Sequence, residues 1–217
     1  MAREPFQVFD NLYFVGIGEV ASYVITTSEG SILIDTLWDL DGYTEYLLGN
    51  IREVGLDPMD IQYVLILQGH RDHYGGARAL QGIIDAQFGT AEEDRKMIEA
   101  DLGDYAPRID FIIEDGDTLT LGDTTINFEI TPGHTPGTTS MRFSVFDNSD
   151  PATGVFDVED ADITKGGDNS EIAHVLVKTA QSASTLMAHR FALWSVSDNR
   201  VLAHGVVVVV SAVNDVT

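Results

Sequence analysis

The sequence predicts an α/β (α+β) sandwich, in which two β-sheets stack face to face and helices cover the outside. Two observations lead there. Strand-rich stretches come in two blocks, within residues 12–35 and 111–146, and each is followed by sequence of helical period. Between them, Ile61-Gln62-Tyr63-Val64-Leu65-Ile66-Leu67 is nearly continuously apolar, as expected of a strand buried on both faces. A chain of 217 residues, 44% apolar and 22% charged, has the size and composition of one folded domain, taken as residues 1–217.

The elements follow in order. Leu12-Tyr13-Phe14-Val15 reads as a short strand, and Ala21 to Thr26 is rich in β-formers. The turn Ser28-Glu29-Gly30 leads into a strand over Ser31 to Asp35, with Gly30 suited to the left-handed conformation of a hairpin turn. Tyr43, Leu47, Leu48, Ile51 and Val54 then fall on one helical face, and Gly55 supplies the stop. After Asp57-Pro58 comes the 61–67 strand, a helix through Leu80, a short strand near Phe88 and a helix from about Ala91 to Ala100. The second block holds strands at 111–113, 118–121, 125–130 and 139–146, with Gly116 and Gly122 at the turns. Residues 147–170 are polar and glycine-rich apart from Val155-Phe156. A helix over Glu171 to His189 and a last inner strand, Val201-Leu202-Ala203, complete the pattern.

Charge narrows the partners. Thirty-five acidic residues face twelve basic ones, a formal charge of −23. Such a surface repels phosphate backbones and anionic lipid, so neither nucleic acid nor membrane is an expected partner and a small-molecule substrate is. There is no cysteine, which removes thiolate nucleophiles and cysteine-held zinc. The start, MAREPFQVFD, shows no cationic segment followed by an apolar run, so the expected location is cytoplasmic by default, or periplasmic or secreted if a leader has been removed.

The chemistry concentrates where the 61–67 strand ends, in Gln68-Gly69-His70-Arg71-Asp72-His73-Tyr74-Gly75-Gly76. His70, Asp72 and His73 lie within four residues on what reads as a loop, and the three glycines are expected to let the backbone bend so that side chains converge. Imidazole nitrogen and carboxylate oxygen bind zinc at about 2.0–2.2 Å, so ligands must be close and held on a stiff base. A second loop, Thr131-Pro132-Gly133-His134-Thr135-Pro136-Gly137, sets a histidine between two Pro-Gly turns that restrict its shape.

These residues resemble the metallo-β-lactamase superfamily. Asp35 after an apolar strand, the His-x-Asp-His-x-Gly-Gly segment and the Gly-His-Thr-Pro-Gly loop occur in that family's order. Asn11-Leu12-Tyr13, Ile34-Asp35-Thr36, Asp60-Ile61 and Thr131 to Gly137 are most similar to the third subclass of class B β-lactamases and related hydrolases, over about residues 9–143. The resemblance implies an αββα sandwich of two mixed sheets. It also implies one or two Zn2+ ions, the first held by Gln68, His70 and His134 and the second by Asp72, His73 and His204. Gln68 stands where the family pattern has a histidine. Glutamine ligates through its amide oxygen, some members of the subclass carry it there, and it is a weaker donor.

His204 is chosen as the last ligand because Val201-Leu202-Ala203-His204-Gly205 is a short apolar strand ending in His-Gly; His174 and His189 lie in the expected helix. Asp157 is the best-placed candidate for the bridging aspartate of other superfamily members, a bridge the favoured subclass lacks. Asp35 is expected to orient a ligand histidine or the 68–76 segment without touching metal. The implied activity is hydrolysis by a metal-activated water, oriented by Asp72, that opens an amide or ester-like bond. A β-lactam is the first choice of substrate. A thioester, lactone or sulfate ester, or a metal-poor non-catalytic relative, are the alternatives.

Overall fold

Odd and even side chains of the same strands enter two different cores. The computed structural model describes residues 4–17, 20–38, 42–146, 155–157, 192–195 and 200–204. Its main sheet has seven strands in sequence order: β1 (Phe6–Phe9), β2 (Leu12–Phe14), β3 (Tyr23–Thr27), β4 (Gly30–Ile34), β5 (Ile61–Leu65), β6 (Gln87–Ala91) and β7 (Phe111–Ile113). The first four pair antiparallel and β4 to β7 pair parallel, so the sheet is mixed. Helices α1 (Tyr43–Glu53), α2 (Arg71–Tyr74), α3 (Ala77–Leu80) and α4 (Glu92–Leu102) occupy the connections among its parallel strands.

Alternation assigns each strand residue to a layer. Val24, Leu33, Val64, Ile66 and Phe88 join Leu47, Leu48 and Ile51 of α1 and Ile98 of α4 in a core between sheet and helices. Their neighbours Ile25, Ile32, Ile34, Leu65 and Leu67 point the other way, into a second core. Its far side is a three-stranded antiparallel sheet of β8 (Thr118–Leu121), β9 (Thr124–Ile130) and β10 (Thr139–Arg142), which supplies Leu121, Ile126, Phe128 and Met141. A fully buried Leu or Ile stabilises by about 1.5–3 kcal/mol relative to an exposed one, so this dual burial explains the apolar runs Ile32-Leu33-Ile34 and Val64-Leu65-Ile66-Leu67. Four further short strands form two antiparallel pairs: β11 (Ser144–Phe146) with β12 (Val155–Asp157), and β13 (Ala192–Ser195) with β14 (Arg200–His204).

Several expectations are adjusted. The strand expected over 61–67 pairs as a strand to Leu65, and at its start only one face is covered: Ile61 is buried while Gln62 is exposed. The expected strand 139–146 breaks at Phe143 into β10 and β11, which belong to different sheets. The helix expected after Gly76 and through Leu80 is the single turn α3, and another single turn, α2, lies inside the 68–76 segment, which is therefore not a loop throughout. Strand β1 carries no alternating signal because only Phe9 of its four residues is buried. The expected helix over 171–189 lies outside the described residues, as do residues 147–154 and 158–170. Among the described residues, no helix is long and apolar enough to cross a membrane.

Candidate active site

Parallel strands direct their C-terminal ends to one edge of a sheet, and crevices at that edge are the usual place for ligands. Here that edge gathers Asp35 after β4, Gln68 and α2 after β5, and the first turn of α4 after β6. The connection between β9 and β10, which carries His134, comes to the same place: the Thr139 N–H donates to the Leu67 carbonyl at 3.0 Å.

Asp35 is the first fixed point. Its backbone sits at φ 57°, a left-handed conformation that aspartate tolerates better than most residues. From there one carboxylate oxygen, Oδ1, accepts the Leu67 N–H at 2.9 Å, and the other, Oδ2, lies 2.8 Å from His73 Nδ1. Thr36 holds the same histidine by its backbone, since both its N–H and its hydroxyl donate to the His73 carbonyl, at 2.7 and 3.0 Å. The aspartate thus assigns the ring proton to Nδ1, and Nε2 faces Asp72 Oδ2 at 3.5 Å. Asp72 and His73 are both buried.

Beside them, Gln68 Oε1 lies 3.0 Å from His70 Nδ1, and Gln68 is buried. The His70 ring meets His134 edge to face, with centroids 4.6 Å apart. Burial lowers the His134 pKa, the neighbouring His70 and His73 lower it further, and Asp72 works against them. That favours the neutral imidazole, the form in which histidine binds metal. Five predicted residues, Gln68, His70, Asp72, His73 and His134, therefore share one neighbourhood. His204 ends β14, in register with Ala192, and Asp157 ends β12, in register with Ser144. The side chains of both lie outside the described residues.

Two pairs of the candidate donors can be compared with the spacing of ligands on one metal ion. Two atoms bound to one tetrahedral zinc at about 2.0–2.1 Å sit about 3.3 Å apart. The Gln68–His70 and Asp72–His73 donor pairs, at 3.0 and 3.5 Å, bracket that value. Among the described residues, no three or more His, Asp or Glu side chains are grouped tightly enough to hold an ion by themselves. Gln68 falls outside that set by residue type, and the side chain of His204 is not described.

The glycines behave differently from expectation. None of Gly69, Gly75, Gly76, Gly133 and Gly137 has a positive φ, so backbone freedom is not their role. A Cβ on Gly76 would stand 2.4 Å from the Thr36 carbonyl oxygen; on Gly137 it would stand 2.7 Å from Asp94 Cγ, and on Gly69 3.1 Å from the same atom. They make room.

Asp94 is the residue that sequence reasoning missed. It sits in the run Glu92-Glu93-Asp94 that opens α4, where acidic residues ordinarily face solvent and the helix dipole. Instead it is fully buried, accepting from the Thr135 hydroxyl at 3.0 Å and the Gly137 N–H at 3.1 Å. Burial raises its pKa, while the Thr135 hydroxyl, the N–H groups of Gly137 and Gly69, and the charge of His70 act in the other direction.

A sequence model described as the metallo-beta-lactamase superfamily matches residues 15–148. The chain belongs to the metallo-beta-lactamase superfamily. Among solved structures, this superfamily member is similar to the subclass B3 metallo-beta-lactamase BJP-1 of Bradyrhizobium japonicum: TM-score 0.64, 35% identity, covering 72% of this chain and 61% of that one. It is also similar to the class B3 di-zinc enzyme LRA-12 from an Alaskan soil metagenome: TM-score 0.65, 29% identity, covering 72% and 61%. A curated relative, the hydroxyacylglutathione hydrolase of Maricaulis maris, is 37% identical over 68 residues, which are 31% of this chain and 23% of that protein. The chain spans about two fifths or less of the curated relatives it matches and about three fifths of these solved structures.

Proposed function

We propose that this superfamily member is a zinc-dependent hydrolase that opens an amide or ester-like bond, with a β-lactam as first-choice substrate. The observation that carries the reading is the pairing of donors at ligand spacing: Gln68 Oε1 with His70 Nδ1, and Asp72 Oδ2 with His73 Nε2. Gln68, His70 and His134 would hold a first ion, and Asp72, His73 and His204 a second. Bound zinc supplies a water of lowered pKa and polarises the carbonyl under attack.

The chain's own residues do the rest. Asp35 keeps the His73 ring in the tautomer whose Nε2 faces the site. The Asp72 carboxylate, buried beside it, would orient the attacking water. Burial and two neighbouring imidazoles favour neutral His134. A formal charge of −23 disfavours nucleic acid and leaves a small molecule as the substrate class.

Likeness to subclass B3 structures supports a β-lactam. Likeness to a hydroxyacylglutathione hydrolase supports a second reading, a thioester. Metal analysis of the purified chain, paired with hydrolysis assays on nitrocefin and on a glutathione thioester, decides between them. The reading predicts at least one zinc per chain and turnover of the β-lactam. Turnover of the thioester alone moves the assignment to the second reading. Less than about half an equivalent of zinc, with no turnover after zinc is added, rejects both in favour of a non-catalytic relative.

A further inference from the structure

We infer that Asp94 is a positioning residue, a buried carboxylate that ties the segments bearing His70 and His134 to the first turn of α4 and so sets the distance between those two rings. The inference rests on the proposed reading of both histidines as ligands. Asp94 is one residue set against two separate stretches of chain: Gly69 on one side, so close that an added Cβ would stand 3.1 Å from the carboxylate, and on the other the Gly137 N–H and Thr135 hydroxyl, which donate to it. Gly69 immediately precedes His70, and Thr135 and Gly137 follow His134 in the same turn. The rings they carry meet at 4.6 Å.

The 131–138 turn needs such an anchor. Most of its hydrogen bonds are internal: Thr131 N–H to the Thr138 carbonyl, Gly133 N–H to the Thr135 carbonyl, and Thr135 N–H to the Thr138 hydroxyl. They fix the shape of the turn and leave its placement to outside contacts. The contact between Thr139 and Leu67 ties it to β5, and Asp94 ties it to the helix layer. The two motif glycines follow from the same contact. A Cβ at position 137 would lie 2.7 Å from Asp94 Cγ and 2.8 Å from its backbone N, and one at position 69 would press on the carboxylate at 3.1 Å. Gly69 and Gly137 are glycine because Asp94 occupies the space.

The test compares the full-length wild type with Asp94→Ala and Asp94→Asn. Zinc affinity is measured by competition with a chelating dye, the visible spectrum is recorded on the cobalt-loaded protein, and the thermal midpoint is taken without metal. Asp94→Ala is expected to weaken binding of the first ion about 10–100-fold, the range for residues that support ligands from behind, and to change the cobalt spectrum. Asp94→Asn should stay near the wild type. Its amide oxygen still accepts from backbone N–H, and its NH2 can donate to the Thr135 hydroxyl, which then turns toward Thr138 at 2.8 Å.

A purely structural role would lower the metal-free midpoint and leave affinity and spectrum of the folded protein unchanged; that result overturns the inference. Should Asp94→Ala fail to fold, Thr135→Val removes one of the same contacts, and wild-type affinity and spectrum in that variant overturn it equally. A wild type that takes up no zinc defeats the ligand reading and this inference together. A zinc-binding wild type with an unchanged Asp94→Ala defeats this inference alone.

Discussion

Asp35 and His73 form a buried pair, carboxylate Oδ2 to imidazole Nδ1 at 2.8 Å, with side chains 5% and 6% exposed. The other oxygen of the same carboxylate holds the Leu67 N–H, so one side chain joins the end of β5 to the ring that faces Asp72. Replacing it therefore changes which proton the ring carries before it changes the fold. In Asp35→Asn the amide oxygen can still accept from Leu67, but an NH2 meets Nδ1 and drives the ring proton to Nε2. Zinc affinity should fall about 10–100-fold, as for other partners of ligand histidines, with a smaller change in thermal midpoint. Chelator competition on the folded variant checks this. An affinity equal to wild type would mean that the pair only supports the fold.

His134→Ala removes a ring that the structure places against His70. Hydrolysis should drop to background and the zinc content should fall, while the metal-free midpoint stays close to wild type because the ring is only half-buried. Stopped assays and metal analysis measure both. Turnover near wild type would take His134 out of the site.

Space, as opposed to backbone freedom, is the reason for Gly76, and a pair of variants separates the two. Gly76→Ala should destabilise by about 1–3 kcal/mol, the usual range for overpacking, since its Cβ would meet the Thr36 carbonyl oxygen at 2.4 Å. Gly133→Ala should cost little, because nothing lies within 4 Å of its Cβ position and its φ is not positive. Urea unfolding of both reads the difference. Equal losses would contradict the steric account.

Acid should loosen the junction of α2 and α4. Arg71 grips Asp101 through two hydrogen bonds, at 2.6 and 3.0 Å, and the Tyr74 hydroxyl donates to the same carboxylate. Arg71 first, then Tyr74, holds the Asp101 carboxyl down to about 2. The folded value lies below the unfolded one of about 3.9, so the contribution is complete above that pH and is lost as pH falls toward 2. The pair is exposed and screened by water and salt, which keeps the effect small. Denaturant midpoints of wild type and Asp101→Asn should differ at pH 7, draw closer below about pH 4 and converge only as pH reaches about 2. A gap that stays constant with pH would remove the charge from the explanation.

Much of this molecule could be read from local pattern. The helical spacing of Leu47, Leu48 and Ile51, the hairpin glycine at 30 and the strands of the second block all appear close to where periodicity puts them, because period and turn chemistry are properties of neighbouring residues. The ligand candidates were visible for the same reason: Gln68, His70, Asp72 and His73 fall within six residues, and His134 sits in a turn of recognisable composition. What stayed hidden was every relationship between distant positions. Gly76 looked like a hinge and is a gap for the Thr36 carbonyl; Asp94 looked like a solvated helix-start carboxylate and is buried between two turns.

By itself, then, the sequence determined the order of strands and helices and the chemical types available at the site, since both are written in residues adjacent along the chain. Only the tertiary structure decided which atoms face each other across the ends of β4, β5, β6 and β9. Those contacts join positions 32 to 43 residues apart, such as Asp35 with Leu67 and His73, and Asp94 with Thr135 and Gly137. Their distances come from how the layers stack, and no local period encodes that.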